Sequence, residues 1–355
     1  MELVNKKFSL FRKILILVPN WLIFVNLERE ITLTSTLFMK KRLLILSTLL
    51  LTATGTFAQQ DMLVTHFIFN KMTFNPGAAG IDDGICGTML YRNQWDRVNG
   101  APNSALLNVE ANLHRWAPVG AGLSFAHDAI GFNRQNNLLL NGAYHVITQH
   151  GTLGIGVGVG MINFGLAPVW VPPVTMVDAT LPASSSATTL DLNFGLYWKA
   201  ANKPYYAGLS ATHLAAPDLK TSSILGASAG TAYTAARHYY AMGGYTFKNI
   251  GNEDGAIDVQ TMVRTDLVKF SVDLNARYLY RNLFYGGVTY RTFDGVAFMG
   301  GFMPPMIPNF MIGYSYDLTL NKLSTISRGS HEVVLKYCYY LPPVPRTVTL
   351  HPRYL

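Results

Sequence analysis

The sequence has few charged residues, few cysteines and few long apolar runs. Charged residues make up 14% of the 355 residues, against about 25% in an ordinary soluble domain. Hydrophobic residues reach 49%, which excludes a disordered, highly charged chain. The chain of 355 residues has two cysteines and so at most one internal disulfide, which excludes a disulfide-rich scaffold. The mean hydropathy of +0.19 is too low for a polytopic helical membrane protein.

A targeting segment precedes the rest of the chain. Met39–Ala58 has a basic start, Lys40 to Arg42, then an apolar stretch from Leu43 to Leu51. It ends in small residues before Gln59, which is typical of a secretory signal peptide at 39–58. Residues 1–38 are then an over-extended start. The alternative is a membrane anchor at 14–27, but this run is interrupted and shorter than the ~20 residues that a spanning helix needs.

The positive charge lies mostly in residues 1–58. The whole chain carries a formal net charge of +8, but residues 1–58 contain eight Lys and Arg and three Asp and Glu. The rest of the chain keeps 20 basic and 17 acidic residues, a net charge of +3. We therefore predict no nucleic-acid partner, since such partners need a basic surface.

After residue 59 the apolar residues alternate with a period of two, which indicates strands. In one example, four residues alternate with four of the opposite face: Leu138, Leu140, Gly142 and Tyr144 against Asn137, Leu139, Asn141 and Ala143. Fourteen such segments are predicted: 84–92, 103–113, 118–128, 136–146, 151–163, 188–200, 205–214, 237–247, 256–264, 267–279, 283–291, 295–302, 308–317 and 331–340. Most have about the 9–11 residues that a tilted strand needs to cross a bilayer.

The composition of the two faces distinguishes a membrane barrel from a soluble sandwich. One face is almost free of charge, and the other carries Asn, Ser, Gly, Gln and single charges. The first suits outer-membrane lipid and the second suits a barrel interior. An open sheet edge would leave unpaired backbone groups in hydrocarbon. The sequence therefore predicts an all-β fold, a transmembrane antiparallel β-barrel of about 14 strands over 84–340.

Connection lengths predict the orientation. The odd-numbered connections are mostly long: 93–102, 129–135, 164–187, 215–236 and 318–330, with two tight exceptions at 265–266 and 292–294. The even-numbered ones are mostly short: 114–117, 147–150, 201–204 and 280–282. Outer-membrane barrels have short periplasmic turns and longer outer loops, so both termini are expected in the periplasm. Residues 59–83 form a periplasmic lead-in, and 341–355 form a Pro-rich tail.

The lead-in contains a turn signal, Asn75-Pro76-Gly77, after an apolar run at 67–72. One interpretation is a simple entry to the first strand. The other is that the apolar residues are buried in the periplasmic mouth as a plug-like segment.

Several short motifs occur in a fixed order along the chain. They are Asn75-Pro76 with Gly80, Tyr91-Arg92 with Gln94-Trp95, Gly100-Ala101-Pro102, Asp128 with Gly131, and Gly329 with His331-Glu332 after Tyr314-Ser315-Tyr316-Asp317. Together with the signal peptide they resemble the PorP/SprF family of outer-membrane proteins of the type IX secretion system of Bacteroidetes, over about Gln60 to Tyr340. Gly77-Ala78 departs from the larger residue expected there, and the tail has no counterpart.

The resemblance implies a secretion accessory in the outer membrane of a Gram-negative, Bacteroidetes-like cell. Members help to export and retain surface proteins that carry a C-terminal sorting domain, and one is tied to gliding adhesins. The implied partners are such a secreted protein and periplasmic or outer-membrane secretion components. It implies no catalytic role for the motif residues. The alternative on the same barrel is a passive channel or transporter for small solutes, and an outer-membrane enzyme is a more distant third.

Two pairs of residues are expected near each other where the first and last strands meet. Arg92 and Glu332 both face inward by alternation, as a seam ion pair or as two unrelated lumen charges. Cys86 opens the first strand and Cys338 nearly ends the last. Because closure makes these ends neighbours and the periplasm is oxidising, we hypothesise that they are adjacent and can form a disulfide.

Catalytic and metal interpretations find little support in the sequence. Ser124 and His127 would point to opposite faces of one strand, although Asp128 follows His127. His331-Glu332 cannot bind zinc without further ligands. The run 151–160 has four inward glycines but no Lys-Ser/Thr and no following helix. We therefore predict no enzyme, no cofactor and no metal site, and hypothesise that the glycines allow another backbone to approach closely.

Overall fold

Each alternating segment forms a β-strand in the computed structural model, which describes residues 61–168, 184–215, 218–220, 232–251 and 254–342. The strands in these ranges are β1 Ile85–Asn93, β2 Asn103–Asn112, β3 Val119–Ile130, β4 Asn133–Ile147, β5 Gly151–Leu166, β6 Ser185–Ala200, β7 Tyr205–Thr212, β8 Asp218–Lys220, β9 Ala232–Thr234, β10 His238–Lys248, β11 Gly255–Thr265, β12 Phe270–Tyr280, β13 Phe284–Arg291, β14 Gly295–Phe302, β15 Phe310–Thr319 and β16 Ser330–Tyr339. The predicted signal peptide, the start before it and most of the tail lie outside the described residues.

Fourteen of these strands close into one antiparallel barrel, and β8 and β9 form a separate two-stranded sheet within the β7–β10 connection. Closure is made by β1 and β16, whose register pairs Ile85 with Tyr339 and Asn93 with His331. We call this pairing the seam. The predicted fold, a closed antiparallel barrel of 14 strands, is confirmed. None of the helices in the described ranges is long and apolar enough to cross a membrane.

The alternation sorts side chains into an outer and an inner face. On β4, Leu138 and Leu140 are 40% and 66% exposed, whereas Asn137 and Asn141 are 7% and 5% exposed. The same alternation along the other strands produces an apolar exterior, which is the arrangement that lipid requires.

The connections define two ends of the barrel. The loop end has the connections 94–102, 131–132, 167–184, 213–237, 266–269, 292–294 and 320–329, and the turn end has 113–118, 148–150, 201–204, 249–254, 281–283 and 303–309. The prediction of a long connection at 129–135 is wrong. Gly131 adopts a φ of +58°, a conformation that glycine reaches without strain, so β3 and β4 extend to within two residues of each other.

The lead-in lies inside the barrel. Residues 61–83, which we call the plug, contain 3₁₀ turns at Phe67–Phe69 and Pro76–Ala78 and one short helix, α1, at Lys71–Phe74. Its apolar side chains form the main buried cluster with inward residues of the wall: Val64, Phe67, Ile68, Phe74, Ala78 and Ile81 with Leu90, Leu106, Tyr240, Met242, Met262, Met299 and Val334 among others. The hydrophobic core of this barrel is therefore in its lumen, between the plug and the wall.

The plug extends along the lumen. At the loop end, the Asp61 backbone N–H donates to Nε2 of His238, the first residue of β10, at 3.3 Å. At the turn end, the carbonyl of Gly84, the residue that follows the plug, accepts from the N–H of Asn112 at 2.9 Å. Of the two interpretations of this segment, the structure contains the plug-like one. The plug extends beyond one mouth of the barrel because its apolar residues pack against inward residues of several strands.

Candidate functional site

The middle of the plug lies directly on the glycine stripe of β5. A Cβ atom on Gly154 would overlap the carbonyl oxygen of Gly77, and one on Gly156 would overlap the backbone of Pro76 and Gly77. The hypothesis of a close backbone approach therefore holds for these two glycines. Gly158 and Gly160 instead lie against neighbouring strands, at Asn141 and Leu138.

Asn75 fixes the plug turn against the wall. Its side-chain oxygen accepts from the N–H of Gly77 at 2.9 Å, which caps the Pro76–Ala78 turn. Its Nδ2 donates to the carbonyl of Leu196 on β6 at 2.9 Å. Gly195 leaves the space that this side chain occupies. The Asn-Pro motif thus both shapes the plug and anchors it.

A second anchor joins the plug to the seam. Both carboxylate oxygens of Glu332 accept backbone N–H groups of the plug, from Thr65 at 2.9 Å and from His66 at 2.7 Å. The Nδ1 atom of His66 also lies 2.7 Å from Glu332 Oε1, and both side chains are fully buried. Charge-assisted hydrogen bonds of this kind are stronger than neutral ones.

Arg92 completes this anchor from the other side of the seam. Its guanidinium donates to Glu332 Oε2 at 3.1 Å, to Asp317 Oδ2 at 2.7 Å and to Thr65 Oγ1 at 3.0 Å. Of the two alternatives for Arg92 and Glu332, the structure contains the seam ion pair. The pair also holds the plug, which the sequence did not indicate.

The buried charges continue around the loop end. Arg291 donates to Asp273 at 3.0 Å and lies 3.5 Å from Asp317, and Arg264 also pairs with Asp273. Arg291 also donates to the carbonyl of Val64 in the plug at 3.3 Å. Buried charges are costly unless they are paired, and here the paired Arg291 also contacts the plug directly.

The two cysteines are adjacent across the seam at the turn end. Cys86 pairs in register with Cys338, their Cα atoms are 4.1 Å apart, and a disulfide joins them. The ring of strands is thus closed covalently as well as by hydrogen bonds.

The remaining motif residues meet at the loop end, beside the seam. The N–H of Gly131 donates to the carbonyl of Gly100 at 2.9 Å, and the N–H of Gln94 donates to the carbonyl of Pro102 at 2.9 Å. Asp128 accepts from Ser104 at 2.5 Å. The first contact joins the β1–β2 loop to the β3–β4 turn, the second closes that loop, and the third joins β2 to β3.

The closing motif supports the same part of the rim. The N–H of Trp95 donates to Ser330 Oγ at 3.1 Å, and the carbonyl of Gly329 accepts from Asp96 at 2.7 Å. His331 Nδ1 lies 2.7 Å from the hydroxyl of Tyr314, whereas Tyr91 projects outward and is exposed. The motif residues therefore lie in one rim segment and one plug turn. What they bind stays a prediction.

Ser124 and His127 lie on opposite faces of β3, as their spacing predicts. Ser124 is buried and donates to Asn108 at 2.6 Å, while Nδ1 of His127 lies 2.7 Å from the side-chain oxygen of Asn136 on β4. Their side chains are therefore directed to separate partners.

A cleft opens above the plug at the loop end, where two tight connections make the rim low. It has a volume of about 490 Å³. Its lining combines apolar and charged side chains: Leu63, Trp95, Val268, Phe270, Phe293, Lys269, Arg291 and Asp294 among others. Phe293 is 78% exposed. The sequence indicated the two tight connections but not this cleft.

Lys71 is a positive charge in the lumen that has no close carboxylate partner among the described residues. Its ammonium lies 3.8 Å from the centre of the Tyr206 ring, a cation–π contact. Burial lowers the pKa of Lys71 to about 8, against the opposing effect of Asp82.

One group of side chains in the described ranges has the atoms to hold a metal ion, namely Asp61, His213 and His238. The sequence shows no sign of this group, because Asp61 is in the plug, His213 directly follows β7 and His238 begins β10. No motif spacing connects them.

A model of the family described as type IX secretion system membrane protein PorP/SprF matches residues 56–337. No curated protein matches the chain. A closed barrel with an apolar exterior and a family of secretion-system membrane proteins together locate the chain in the outer membrane.

Among solved structures, the chain is similar to the outer membrane protein Omp33 of Acinetobacter baumannii, with 8% identity and a TM-score of 0.41 over 73% of this chain and 100% of that one. It is similar to the translocator domain of the autotransporter NalP from Neisseria meningitidis, with 12% identity and a TM-score of 0.41 over 77% and 94% of the two chains. The P. putida toluene transporter TodX shows 11% identity and a TM-score of 0.41 over 76% and 93%. At such values the likeness carries no statement about activity.

Proposed function

The chain belongs to the PorP/SprF family of type IX secretion system membrane proteins, and we propose that it is a docking barrel for secreted cargo. It helps to export a surface protein with a C-terminal sorting domain, of the gliding-adhesin type, and retains it at the cell surface. The family match over residues 56–337 is the observation that carries this proposal. The barrel acts by binding and has no catalytic role.

The occupied lumen supports docking over conduction. The plug is held at the seam by Glu332 and on the opposite wall by Leu196 of β6. A segment attached to both walls leaves little room for solute to pass. Cargo then binds outside the lumen, and the wall serves as a rigid support for the rim.

The loop-end cleft is the surface that we assign to cargo. An exposed aromatic side chain beside a pocket with both charge signs is the usual anchor of a protein interface. Phe293 and Phe270 supply the aromatic surface, and Lys269 and Asp294 supply the charges. The turn end, where Met306 is 91% exposed, faces the secretion components of the periplasm.

A surface-retention assay tests the proposal. A strain that lacks this gene is complemented with the natural chain, with Phe293→Asp or with Ile326→Asp, and a reporter with a sorting domain is measured on cells and in the medium. We expect Phe293→Asp to release reporter into the medium. Ile326 is the matched control, since it is 62% exposed and does not line the cleft. Equal retention in the deleted and complemented strains would refute the proposal.

Planar-bilayer recording separates docking from the rival function. The purified barrel is expected to show no steady conductance, because the plug fills the lumen. A steady open pore in the natural protein would favour a passive channel or transporter instead.

A further inference from the structure

Three side chains with metal-ligating atoms converge at the loop end of the lumen. They are the carboxylate of Asp61 in the plug and the imidazoles of His213 and His238, whose ligand atoms all lie within 4.8 Å of one another. Both histidines are buried, at 5% and 6% exposure. The set is thus shielded from bulk water and drawn from three separate parts of the chain.

The Nδ1 atom of each imidazole faces an acceptor. Nδ1 of His238 lies 2.9 Å from the carbonyl of Ala236, and Nδ1 of His213 lies 3.0 Å from the carboxylate of the fully buried Asp191, as a close ion pair rather than an aligned hydrogen bond. Histidines that bind a metal nearly always donate their second ring nitrogen to such an acceptor. Here Nδ1 of each ring is directed to its acceptor, so Nε2 is the ligand atom that each ring can offer.

Both Nε2 atoms face Asp61. Nε2 of His213 lies 3.8 Å from Asp61 Oδ2, and Nε2 of His238 accepts the backbone N–H of Asp61 at 3.3 Å. Because a nitrogen that accepts a hydrogen bond presents its lone pair, Nε2 of His238 is in the form that binds a metal. Binding of an ion at Nε2 of His238 would replace the 3.3 Å hydrogen bond from the Asp61 N–H.

The backbone also specifies the position of His213. Its φ is +55°, in the left-handed region that residues other than glycine rarely adopt. Asn193 holds this conformation by accepting the N–H of His213 at 2.9 Å. Strain of this kind persists where the surroundings fix it, often at functional sites.

We propose that Asp61, His213 and His238 bind a divalent transition-metal ion, zinc being the best match. Two imidazoles and one carboxylate with an open fourth position are a typical ligand set for Zn²⁺. A cavity of about 20 Å³ adjoins Asp61 and His213, and this is enough for the one water that would complete the tetrahedron. Bonds of about 2.0–2.2 Å require the ligand atoms to move closer, by side-chain rotation.

The ion would connect the plug to the largest loop-end connection. His213 and His238 stand at the two ends of the β7–β10 connection, and Asp61 is at the loop end of the plug. The bound metal therefore adds a cross-link between the plug and two strands that are already paired, with His238 opposite Thr212 in their register. It acts as a structural cross-link, separate from the cargo cleft.

The test uses the full-length barrel purified in detergent without a histidine tag. After chelator treatment it is titrated with Zn²⁺ and with Co²⁺, whose visible absorption reports tetrahedral coordination. We expect about one ion per chain, with binding lost in His238→Asn and Asp61→Asn. Asp191→Asn should weaken affinity by about 10- to 100-fold through the orientation of His213.

The control is His331→Asn, since His331 also lies at the loop end but outside the cluster. Heat-modifiable gel mobility shows whether each variant is a folded barrel. If a ligand variant does not fold, X-ray absorption of the Zn-loaded natural protein decides, because the proposal requires two imidazole ligands. Absence of stoichiometric binding, or binding that is equal in the folded ligand variants and the control, would overturn it.

Discussion

Arg92 and Glu332 lie directly opposite each other across the seam, and their side chains meet at 3.1 Å in a fully buried ion pair. The same carboxylate accepts two backbone N–H groups of the plug. Closure of the barrel and seating of the plug therefore share one pair of charges.

We expect Arg92→Leu to destabilise the protein by about 3–5 kcal/mol, because it leaves the Glu332 carboxylate buried without its partner. Urea unfolding in detergent measures the change in the free energy of unfolding. The double variant Arg92→Leu with Glu332→Gln should recover part of the loss, since it removes the stranded charge. A double variant that is no better than the single one would contradict this reasoning.

The pair Lys199 and Asp82 offers a matched comparison. Its atoms are closer, at 2.6 Å, but the side chains are 46% and 48% exposed. Exposed pairs contribute about 0–1 kcal/mol, so we expect Lys199→Ala to lower the free energy of unfolding far less than Arg92→Leu. Burial rather than distance decides the difference, and urea unfolding of both variants under one condition checks it.

The disulfide of Cys86 and Cys338 predicts that the natural protein has no free thiol. After denaturation, thiol-blocking reagents should label the chain only once it has been reduced, and the unfolded chain should change its gel mobility on reduction. We expect Cys86→Ser with Cys338→Ser to lose about 2–4 kcal/mol, as disulfides mainly constrain the unfolded chain. Labelling of the unreduced chain would show that the bond does not form.

The strands and the seam could be predicted because their signals are local. A period of two assigns each side chain to a face, and once the sheet must close, the first and last strands are neighbours whatever their distance in sequence. Cys86 and Cys338, 252 residues apart, could be paired for this reason alone. The tight turn at Gly131 was missed because polar residues on both sides resemble a loop.

The depth of the plug and the histidine cluster could not be predicted in this way. Asp61 and His238 are 177 residues apart, and their contact depends on how far a short irregular segment extends into the lumen. No repeating sequence pattern determines how far the segment extends. The glycines of β5 did carry a signal, since a bare stripe on an inward face indicates a close backbone, but not which backbone.

The charges around His213 predict a pH dependence of the metal-free protein. Burial opposes protonation, but the carboxylates of Asp191 and Asp61 outweigh it and raise the pKa of His213 from 6.5 to about 10. Its contribution to stability is therefore complete below pH 6.5, declines as the pH rises from there and is lost above about 10. Urea unfolding of chelator-treated protein at several pH values should show this decline, and His213→Asn should flatten it. An unchanged slope in that variant would assign the decline to other groups.

The plug itself can be tested by adding bulk to the glycine on which it lies. Gly156→Val places side-chain atoms where the backbone of Pro76 and Gly77 now runs, so the plug must move away from β5. We expect the variant barrel to conduct in planar bilayers and its plug to become accessible to protease. Gly142→Val is the matched control, because a Cβ there meets no atom within 4 Å and a bulkier β-branched residue suits a strand. Conductance in both variants would point to general damage of the wall. Conductance in neither variant would point to a plug that tolerates displacement. Conductance in Gly156→Val alone would mean that the close fit of the plug backbone against the wall is what keeps the lumen closed.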